Sequence, residues 1–273
     1  MFSPYYAWAR RRGPADPRHY CCLNVALYGE GGKRWTMTER GRSFITRSVD
    51  EFVIGPSRLN WDGSRLEIQI DEIGAPIPAR IRGTVRVYPE ALTESPFELA
   101  PDGTHQWWPI APCSHVEVTL SQPDLKWTGR GYLDSNHGTE PLERGFRQWE
   151  WSRTDLGRDT VIFYDAEARS SQHRSLAIRC RPTGAVESIE ALPPTRLPTT
   201  FVWRVPRSTR SDPDRPATVR STLEDTPFYA RSLLDTHIHG ERGTAFHESL
   251  SLDRFASRWV QVLLPFRMPR RGG

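Results

Sequence analysis

The sequence predicts a mainly β protein, and three observations support this prediction. Short runs rich in β-branched and aromatic residues recur along the 273 residues, and turn residues bound them. Several runs alternate apolar with polar side chains, as half-buried antiparallel strands do. Their spacing is typical of a sandwich or a barrel. The runs are YCCLNVALYG, RLEIQIDEIG, RIRGTVRVYP, HVEVTLSQPD, LKWTGRGYLD, TVIFYDAEA, SLAIRCRP and FVWRVPRST.

The length and the loops predict two domains. A chain of 273 residues is long for one small barrel and suits two ordinary domains. The loop NHGTEPLERG sets the predicted boundary, which gives domains at 1–144 and 145–273. A second loop, RSTRSDPDRPAT, is rich in proline, serine and charge and is expected to interrupt the second domain.

One helix is predicted near the C-terminus, in LDRFASRWVQVLLPFRM. Leu252, Phe255, Trp259 and Val262 follow helical spacing. The preceding serine, Ser251, is a suitable N-cap. The simpler interpretation is a short helix packed on the last barrel, and a membrane-touching helix is the alternative.

Composition and charge exclude several classes of protein. Charged residues make up 26% and hydrophobic residues 37%, as in a soluble globular chain. The net charge of +4 comes from scattered arginines, which argues against nucleic acid as the main partner. The four cysteines lack zinc-site spacing and are interpreted as reduced core thiols in a cytoplasm. No apolar run is long enough to span a bilayer, so we expect a cytoplasmic protein.

The stretch LDTHIHGE resembles a metal motif that the chain cannot complete. Asp235, His237 and His239 match the D-x-H-x-H of metal-dependent amidohydrolases. That motif opens a (β/α)₈ barrel, and only 34 residues follow His239. Without a third ligand we predict no metal site there, and a metal held by the two histidines on one strand face is the alternative. His247, which lies near serines in an amphipathic stretch, is interpreted as structural.

A carboxylate and three ring side chains occupy matching positions in two predicted strands. Tyr132 and Asp134 lie two residues apart, as do His105 and Trp107, so each pair shares one face of an extended strand. If the strands are neighbours, the four side chains converge. The structural alternative is an aspartate that bonds the turn following it.

Such a cluster suits acid chemistry at a carbon atom. An aspartate surrounded by aromatic rings loses hydration, which raises its pKa above the model value of about 3.9. The carboxyl group would then remain a proton donor at neutral pH. Aromatic faces attract a nearby positive charge by roughly 0.5 to 2 kcal/mol each. These properties favour protonation of a carbon to form a carbocation over peptide or phosphate chemistry.

Several stretches together resemble the carotenoid 1,2-hydratase family of carotenoid-making bacteria, also called hydroxyneurosporene synthase. They are FSPYYAWARRRG, CLNVALYG, MTERG, GYLDSN, EPLERGF, WEWSR, TLEDTPFYARS, HESLSLDRF and LLPFRMPR, and they run nearly end to end. The resemblance implies two lipocalin-like antiparallel β-barrel domains. It also implies addition of water to the terminal C1,2 double bond of acyclic carotenoids without a cofactor. Members are expected to carry some residues before FSPYY.

The family's H-x-W and Y-x-D pairs match His105 with Trp107 and Tyr132 with Asp134. We expect Asp134 to protonate C2 of the end group, the rings of Trp107 and Tyr132 to stabilise the cation at C1, and His105 to orient Asp134 or accept a proton from water. Two alternatives stay open. A non-catalytic carotenoid or lipid carrier would use the same rings, and another isoprenoid hydratase or cyclase would keep the acid.

The expected partners are an acyclic carotenoid and water, and the oligomeric state is left open. Because a carotenoid resides in lipid, we expect peripheral contact with the inner or intracytoplasmic membrane. The segments RWVQVLLPFRMPRR and YYAWARRR join aromatic residues to arginines, a combination suited to the headgroup level.

Overall fold

The computed structural model describes residues 2–29, 33–100 and 102–272, and these ranges are mainly β. The strands are β1 Cys21–Leu27, β2 Arg34–Arg40, β3 Ile45–Arg47, β4 Glu51–Ile54, β5 Ser57–Trp61, β6 Leu66–Ile73, β7 Arg80–Pro89, β8 Phe97–Glu98, β9 His105–Gln122, β10 Asp124–Gly138, β11 Phe146–Leu156, β12 Asp159–Ala168, β13 His173–Cys180, β14 Val186–Ser188, β15 Pro194–Leu197, β16 Arg207–Arg210, β17 Thr218–Asp225, β18 Tyr229–Ile238, β19 Glu241–Ser251 and β20 Arg270–Arg271. The helices are α1 Pro4–Arg10, α2 Leu142–Gly145, α3 Leu252–Ala256 and α4 Arg258–Leu263, with 3₁₀ turns at Pro17–His19, Arg42–Phe44 and Leu264–Phe266.

Two compact units divide the chain, and neither is continuous in sequence. Unit 1 comprises Met1–Pro89, His115–Gly131 and Gln261–Gly273, and unit 2 comprises Glu90–Ser114 and Tyr132–Val260. This division has no break at residue 144, because residues on both sides of that position belong to unit 2. The domain boundary at 144 therefore stays a prediction.

In unit 1, alternating apolar residues of β6, β7 and β9 build the core. Ile70, Ile81, Val87, Val116, Val118 and Leu120 form a buried cluster. Their two-residue spacing directs these side chains to one face of the sheet. Beside them lies a buried ion pair, in which Arg40 Nη2 donates to Glu72 Oε2 at 2.7 Å. Ser57 donates to the other oxygen of Glu72 at 2.8 Å, so both carboxylate oxygens are satisfied.

In unit 2, a seven-stranded antiparallel sheet has the order β14-β13-β12-β11-β19-β18-β17. Along β18 the side chains alternate between half-buried and buried over the whole strand. The buried face of this sheet carries two apolar clusters, one containing Val161, Phe163 and Ile238 and one containing Leu234 and Ala245. The tryptophans of β11 lie on the opposite face of the sheet.

Strand order corrects the predicted architecture. The other large sheet runs β10-β9-β7-β6-β5-β4-β3, with β8 paired to β9. Each order, over the described residues, is an open path with two ends and not a ring. The mainly β prediction is confirmed, whereas closed antiparallel barrels are not.

Most of the predicted strands are present, and FVWRVPRST is the exception. Only its end, from Arg207, is a strand, and residues 201–206 form a loop. The backbone N–H groups of Val202 and Trp203 donate to the carboxylate of Asp225 at 2.7 and 3.3 Å, so they are not available to a neighbouring strand. The apolar composition of the run predicted a strand, but its first two side chains are exposed and its backbone follows a loop.

The predicted C-terminal helix is present in two pieces. Ser251 caps α3 by accepting the backbone N–H of Arg254, as predicted. The helix then breaks at Ser257, whose backbone is extended, and α4 begins at Arg258. No helix among the described residues combines the length and the apolar character needed to cross a bilayer.

Candidate active site

Neighbouring strands β9 and β10 bring three of the four predicted side chains together. The two strands are hydrogen-bonded neighbours in their sheet. Trp107 Nε1 donates to Asp134 Oδ2 at 2.8 Å, and the Tyr132 hydroxyl donates to the same oxygen at 3.0 Å. Trp107 is fully buried, so its indole N–H has its polar partner in the carboxylate. Asp134 thus bonds side chains of two strands, and not the following turn.

Aromatic rings from β11, β12 and β19 extend this cluster. The ring of Trp107 lies 5.3 Å from that of Tyr164, and the ring of Tyr132 lies 5.3 Å from that of Trp151. Trp151 in turn makes an edge contact with Phe246 at 6.5 Å. These separations are typical of packed aromatic pairs. The carboxyl group of Asp134 is therefore bordered by apolar ring surface.

Burial dominates the electrostatics of Asp134. Desolvation raises the pKa of Asp134 above its ordinary value, and it outweighs the hydrogen bonds from Trp107 and Tyr132, which lower it. The negative charge of Glu248 raises this pKa further, and the guanidinium of Arg153 lowers it. Burial, together with the nearby Asp134, also raises the pKa of Tyr132 well above its ordinary value. Tyr132 consequently acts as a hydrogen-bond donor and not as a phenolate.

The two oxygens of Asp134 have different surroundings. Oδ2 accepts both hydrogen bonds, whereas Oδ1 has no hydrogen-bond partner among the described residues. Two donors on Oδ2 leave Oδ1 as the atom that can carry the proton of the neutral acid. The arrangement can therefore deliver a proton from Oδ1 to a weakly basic atom placed beside the rings.

The fourth predicted residue, His105, is buried elsewhere on β9. Its ring packs against Phe146, with centroids 4.9 Å apart, and Nε2 lies 3.4 Å from Glu140 Oε1. Neither ring nitrogen has a hydrogen-bond partner among the described residues. A Cβ atom on Gly138 or Gly145 would lie 2.5 or 2.7 Å from a ring nitrogen, so both glycines are needed for the ring to fit. His105 makes no hydrogen bond with Asp134.

A sequence profile of the carotenoid hydratase CrtC family matches residues 1–273. The chain belongs to this family. It is 56% identical over 273 residues to the acyclic carotenoid 1,2-hydratase of Thiocapsa roseopersicina, covering the whole of this chain and 67% of that protein. It is 43% identical over 275 residues to the acyclic carotenoid 1,2-hydratase of Rhodobacter capsulatus, covering the whole chain and 96% of that protein. The predicted resemblance is confirmed, as is the prediction of an enzyme.

A solved structure assigned as AttH from Nitrosomonas europaea has a similar fold. The TM-score is 0.57 at 11% identity, over 84% of this chain and 80% of that one. At such low identity the likeness concerns the fold alone. It supports the β-rich architecture of this carotenoid hydratase family member.

Sequence reasoning missed the aromatic border contributed by β11, β12 and β19. Its members are Trp149, Trp151, Tyr164 and Phe246, and Glu248 lies next to them on β19. A signal was available in WEWSR, where Trp149, Trp151 and Arg153 alternate and thus share one strand face. Their approach to Asp134 depends on strand pairing between distant segments, which the alternation does not encode.

The stretch LDTHIHGE and His247 make contacts of their own in this family member. Asp235 accepts hydrogen bonds from Arg220, and His239 lies in the turn after β18 with φ of 51°. No group of three metal-ligating side chains occurs among the described residues. His247 is fully buried, and its Nε2 lies 2.8 Å from the Ser208 carbonyl and 3.3 Å from Glu150 Oε2. These contacts agree with the structural interpretation of His247.

Proposed function

We propose that this chain adds water to the terminal C1,2 double bond of acyclic carotenoids such as neurosporene, lycopene and their derivatives. Asp134, as the neutral acid, donates its proton to C2 of the end group. The positive charge forms at C1, because a tertiary cation is more stable than a secondary one, and water then gives a 1-hydroxy carotenoid. The position of Asp134, desolvated and bonded by Trp107 and Tyr132, is the observation that carries the proposal.

In this proposal the aromatic side chains stabilise the carbocation. Rings of Trp107, Tyr132, Trp151 and Tyr164 present apolar π-faces that accommodate a polyene end and attract positive charge, by roughly 0.5 to 2 kcal/mol each. Addition of water transfers no electrons and needs no redox group, so the proposed reaction uses no cofactor. A positioned general acid contributes about 10²- to 10⁴-fold to such a rate.

Trp107 and Tyr132 orient Asp134 in this proposal, the role that the sequence suggested for His105. His105 stays a predicted catalytic residue, and its packing against Phe146 and Glu140 is compatible with a role in shaping the site. Substituting His105 by glutamine tests whether its titratable ring is needed.

Isotope-labelled hydration tests the proposal directly. Purified protein is incubated with detergent-dispersed lycopene or neurosporene in ¹⁸O-water, and the products are analysed by mass spectrometry. We expect a labelled hydroxyl group with the wild type and a loss of at least 10²-fold in Asp134→Asn. Asp124→Asn, an exposed aspartate on the same strand, is the matched control and should retain activity.

Two results would redirect the proposal. Stoichiometric binding of the polyene without product, unchanged in Asp134→Asn, would indicate a carrier, which the same aromatic border could serve. A labelled alcohol or a cyclised product from a different isoprenoid would indicate another hydratase or a cyclase that retains the acid. The chemical structure of the product separates these from carotenoid 1,2-hydration.

Peripheral membrane contact is the second part of the proposal, and an exposed apolar group in unit 2 supports it. Phe201 and Val202 are 90% and 65% exposed, and Trp259 is 50% exposed. The rings of Trp203 and Trp259 are stacked, with centroids 5.7 Å apart, so the loop and α4 hold a common aromatic surface. Exposed apolar patches of this kind mark binding surfaces.

Charge at this surface fits an anionic lipid headgroup layer. Arg204 follows the loop directly and Arg258 begins α4, and both side chains are exposed. Aromatic and aliphatic groups flanked by arginines are typical of segments that lie at the membrane interface. A protein whose substrate resides in lipid would use this surface to approach it.

A further inference from the structure

A second carboxylate, Glu248, lies on the same sheet face as the aromatic border of the site. In the register of β11 and β19, Trp151 pairs directly with Glu248. Directly opposed side chains have Cβ atoms about 4.5 to 5.5 Å apart. Trp151 also contacts the ring of Tyr132, with centroids 5.3 Å apart, and the hydroxyl group of Tyr132 donates to Asp134. The two carboxyl groups therefore flank one indole.

The hydrogen bonds of Glu248 all go to one oxygen. Oε1 accepts the Tyr229 hydroxyl at 2.7 Å and the Nε and Nη2 atoms of Arg231 at 3.0 and 2.7 Å. Oε2 has no hydrogen-bond partner among the described residues. Three donors to Oε1 hold the group in a fixed orientation, so Oε2 is left as an acceptor.

The indole between the two carboxyl groups has a free donor. Trp151 is only 8% exposed, and its Nε1 atom is buried without a hydrogen-bond partner among the described residues. A buried indole N–H nearly always has an acceptor, and an orphaned one costs about 1 to 3 kcal/mol. Two directly paired residues therefore carry one unused donor, Trp151 Nε1, and one unused acceptor, Glu248 Oε2.

We propose that Trp151 and Glu248 hold the water molecule that attacks the cation, and that Glu248 is the general base that deprotonates it. This inference rests on the proposed hydration. Trp151 donates to the water oxygen, the water donates to Glu248, and a lone pair of the oxygen faces C1. Asp134 and Glu248 thus divide the acid and base roles between two differently surrounded carboxyl groups.

The proton balance closes over one turnover. Asp134 forms the C2–H bond and becomes a carboxylate, and the alkene electrons leave C1 positively charged. The water oxygen forms the C1–O bond, and its proton passes to Glu248. One proton then moves from Glu248 to Asp134 through solvent, which restores both groups. The net reaction is alkene plus water giving the alcohol.

Deuterium exchange separates the two roles. In ²H₂O, Asp134 delivers deuterium to C2, and a cation that is not captured by water returns to alkene and leaves deuterium in the recovered substrate. We expect Glu248→Gln to lower hydration by about 10²-fold or more while deuterium still enters the substrate. Asp134→Asn should lose both reactions. Glu241→Gln, on the same strand and paired with Arg179 at 2.7 Å, is the matched control and should keep both.

A second variant covers the case in which Glu248→Gln does not fold. Trp151→Phe keeps an aromatic face and removes the N–H group together with the five-membered part of the indole, and we expect about a tenfold fall in hydration with exchange retained. If the N–H has no ligand, its removal should instead leave hydration unchanged.

The outcomes are distinct. Hydration at the wild-type rate in a folded Glu248→Gln protein, or in Trp151→Phe where the first variant is unfolded, overturns the inference. Loss of exchange as complete as in Asp134→Asn also overturns it, since the residue would then act before the cation forms. A wild-type protein that gives no labelled alcohol refutes the proposed function itself.

Discussion

Asp134 is subject to opposing influences at a single carboxyl group. Trp107 and Tyr132 both donate to Oδ2, an arrangement that favours the ionised form. Removal from water favours the neutral form, and the raised pKa of Asp134 indicates that burial prevails. The hydrogen bonds therefore fix the direction of the acid more than its charge, which is the property that proton delivery to a particular carbon requires.

This balance predicts a pH-dependent gain in stability for Asp134→Asn. Below the unfolded pKa of about 3.9 both states are protonated, so burial of the acid costs no ionisation. As pH rises from there toward the raised folded pKa, the unfolded chain ionises while the buried acid keeps its proton, so stability is lost. Asparagine does not ionise, so the variant should be more stable than the wild type, by on the order of 1 kcal/mol, at neutral pH and not at pH 4.

Urea unfolding at several pH values measures this difference. Shifts that originate at other carboxyl groups, such as Glu150, occur in both proteins and cancel. Asp124→Asn, on the same strand but exposed, should show no such pH-dependent gain. A difference between Asp134→Asn and wild type that stays constant with pH would contradict the raised pKa.

Strands could be predicted from the sequence, because alternation of apolar and polar residues follows from the geometry of a single extended strand. The pairs Tyr132 with Asp134 and His105 with Trp107 followed from that period alone, and β9 and β10 do pair. The contributions of Trp151 and Glu248 come from strands far apart in sequence, and only sheet register joins them. The loop at Phe201 departs from the predicted strand because apolar composition does not show whether a segment is a strand or an exposed loop.

At the level of elements, α2 encloses the ring of His105. A Cβ atom on Gly145 would lie 2.7 Å from His105 Nε2 and 3.2 Å from Glu140 Oε1, and Gly145 has no positive φ to complicate the substitution. Gly145→Ala should therefore cost about 1 to 3 kcal/mol of stability through overpacking.

A double-mutant cycle checks this prediction by thermal unfolding. In a His105→Ala background the new methyl group has room, so Gly145→Ala should cost much less there. Gly41→Ala, where a Cβ would meet nothing closer than 3.6 Å, is the control and should be close to neutral. Equal costs of Gly145→Ala in the two backgrounds would mean that the ring is not what the glycine accommodates.

At the scale of the whole molecule, the proposed carotenoid substrate resides in lipid, so the protein needs a surface that meets the membrane. The proposed surface consists of Phe201 and Val202 with the stacked pair Trp203 and Trp259. Burial of apolar side chains in the interface gives about 25 cal/mol per Å² removed from water, and nearby arginines add attraction to anionic headgroups. Loss of the two most exposed side chains should thus weaken binding measurably.

Flotation with liposomes that contain anionic lipid tests this. The wild type should float with the vesicles. In a Phe201→Ser, Val202→Ser double variant, the ratio of vesicle-bound to free protein should fall about tenfold, so most of the variant should stay at the bottom of the gradient. Val49→Ser changes an exposed apolar side chain of unit 1, outside the proposed surface, and should float like the wild type. Because the variant leaves Asp134 untouched, it should hydrate detergent-dispersed substrate normally and substrate in vesicles slowly. Equal flotation of all three proteins would show that this loop does not bind the membrane.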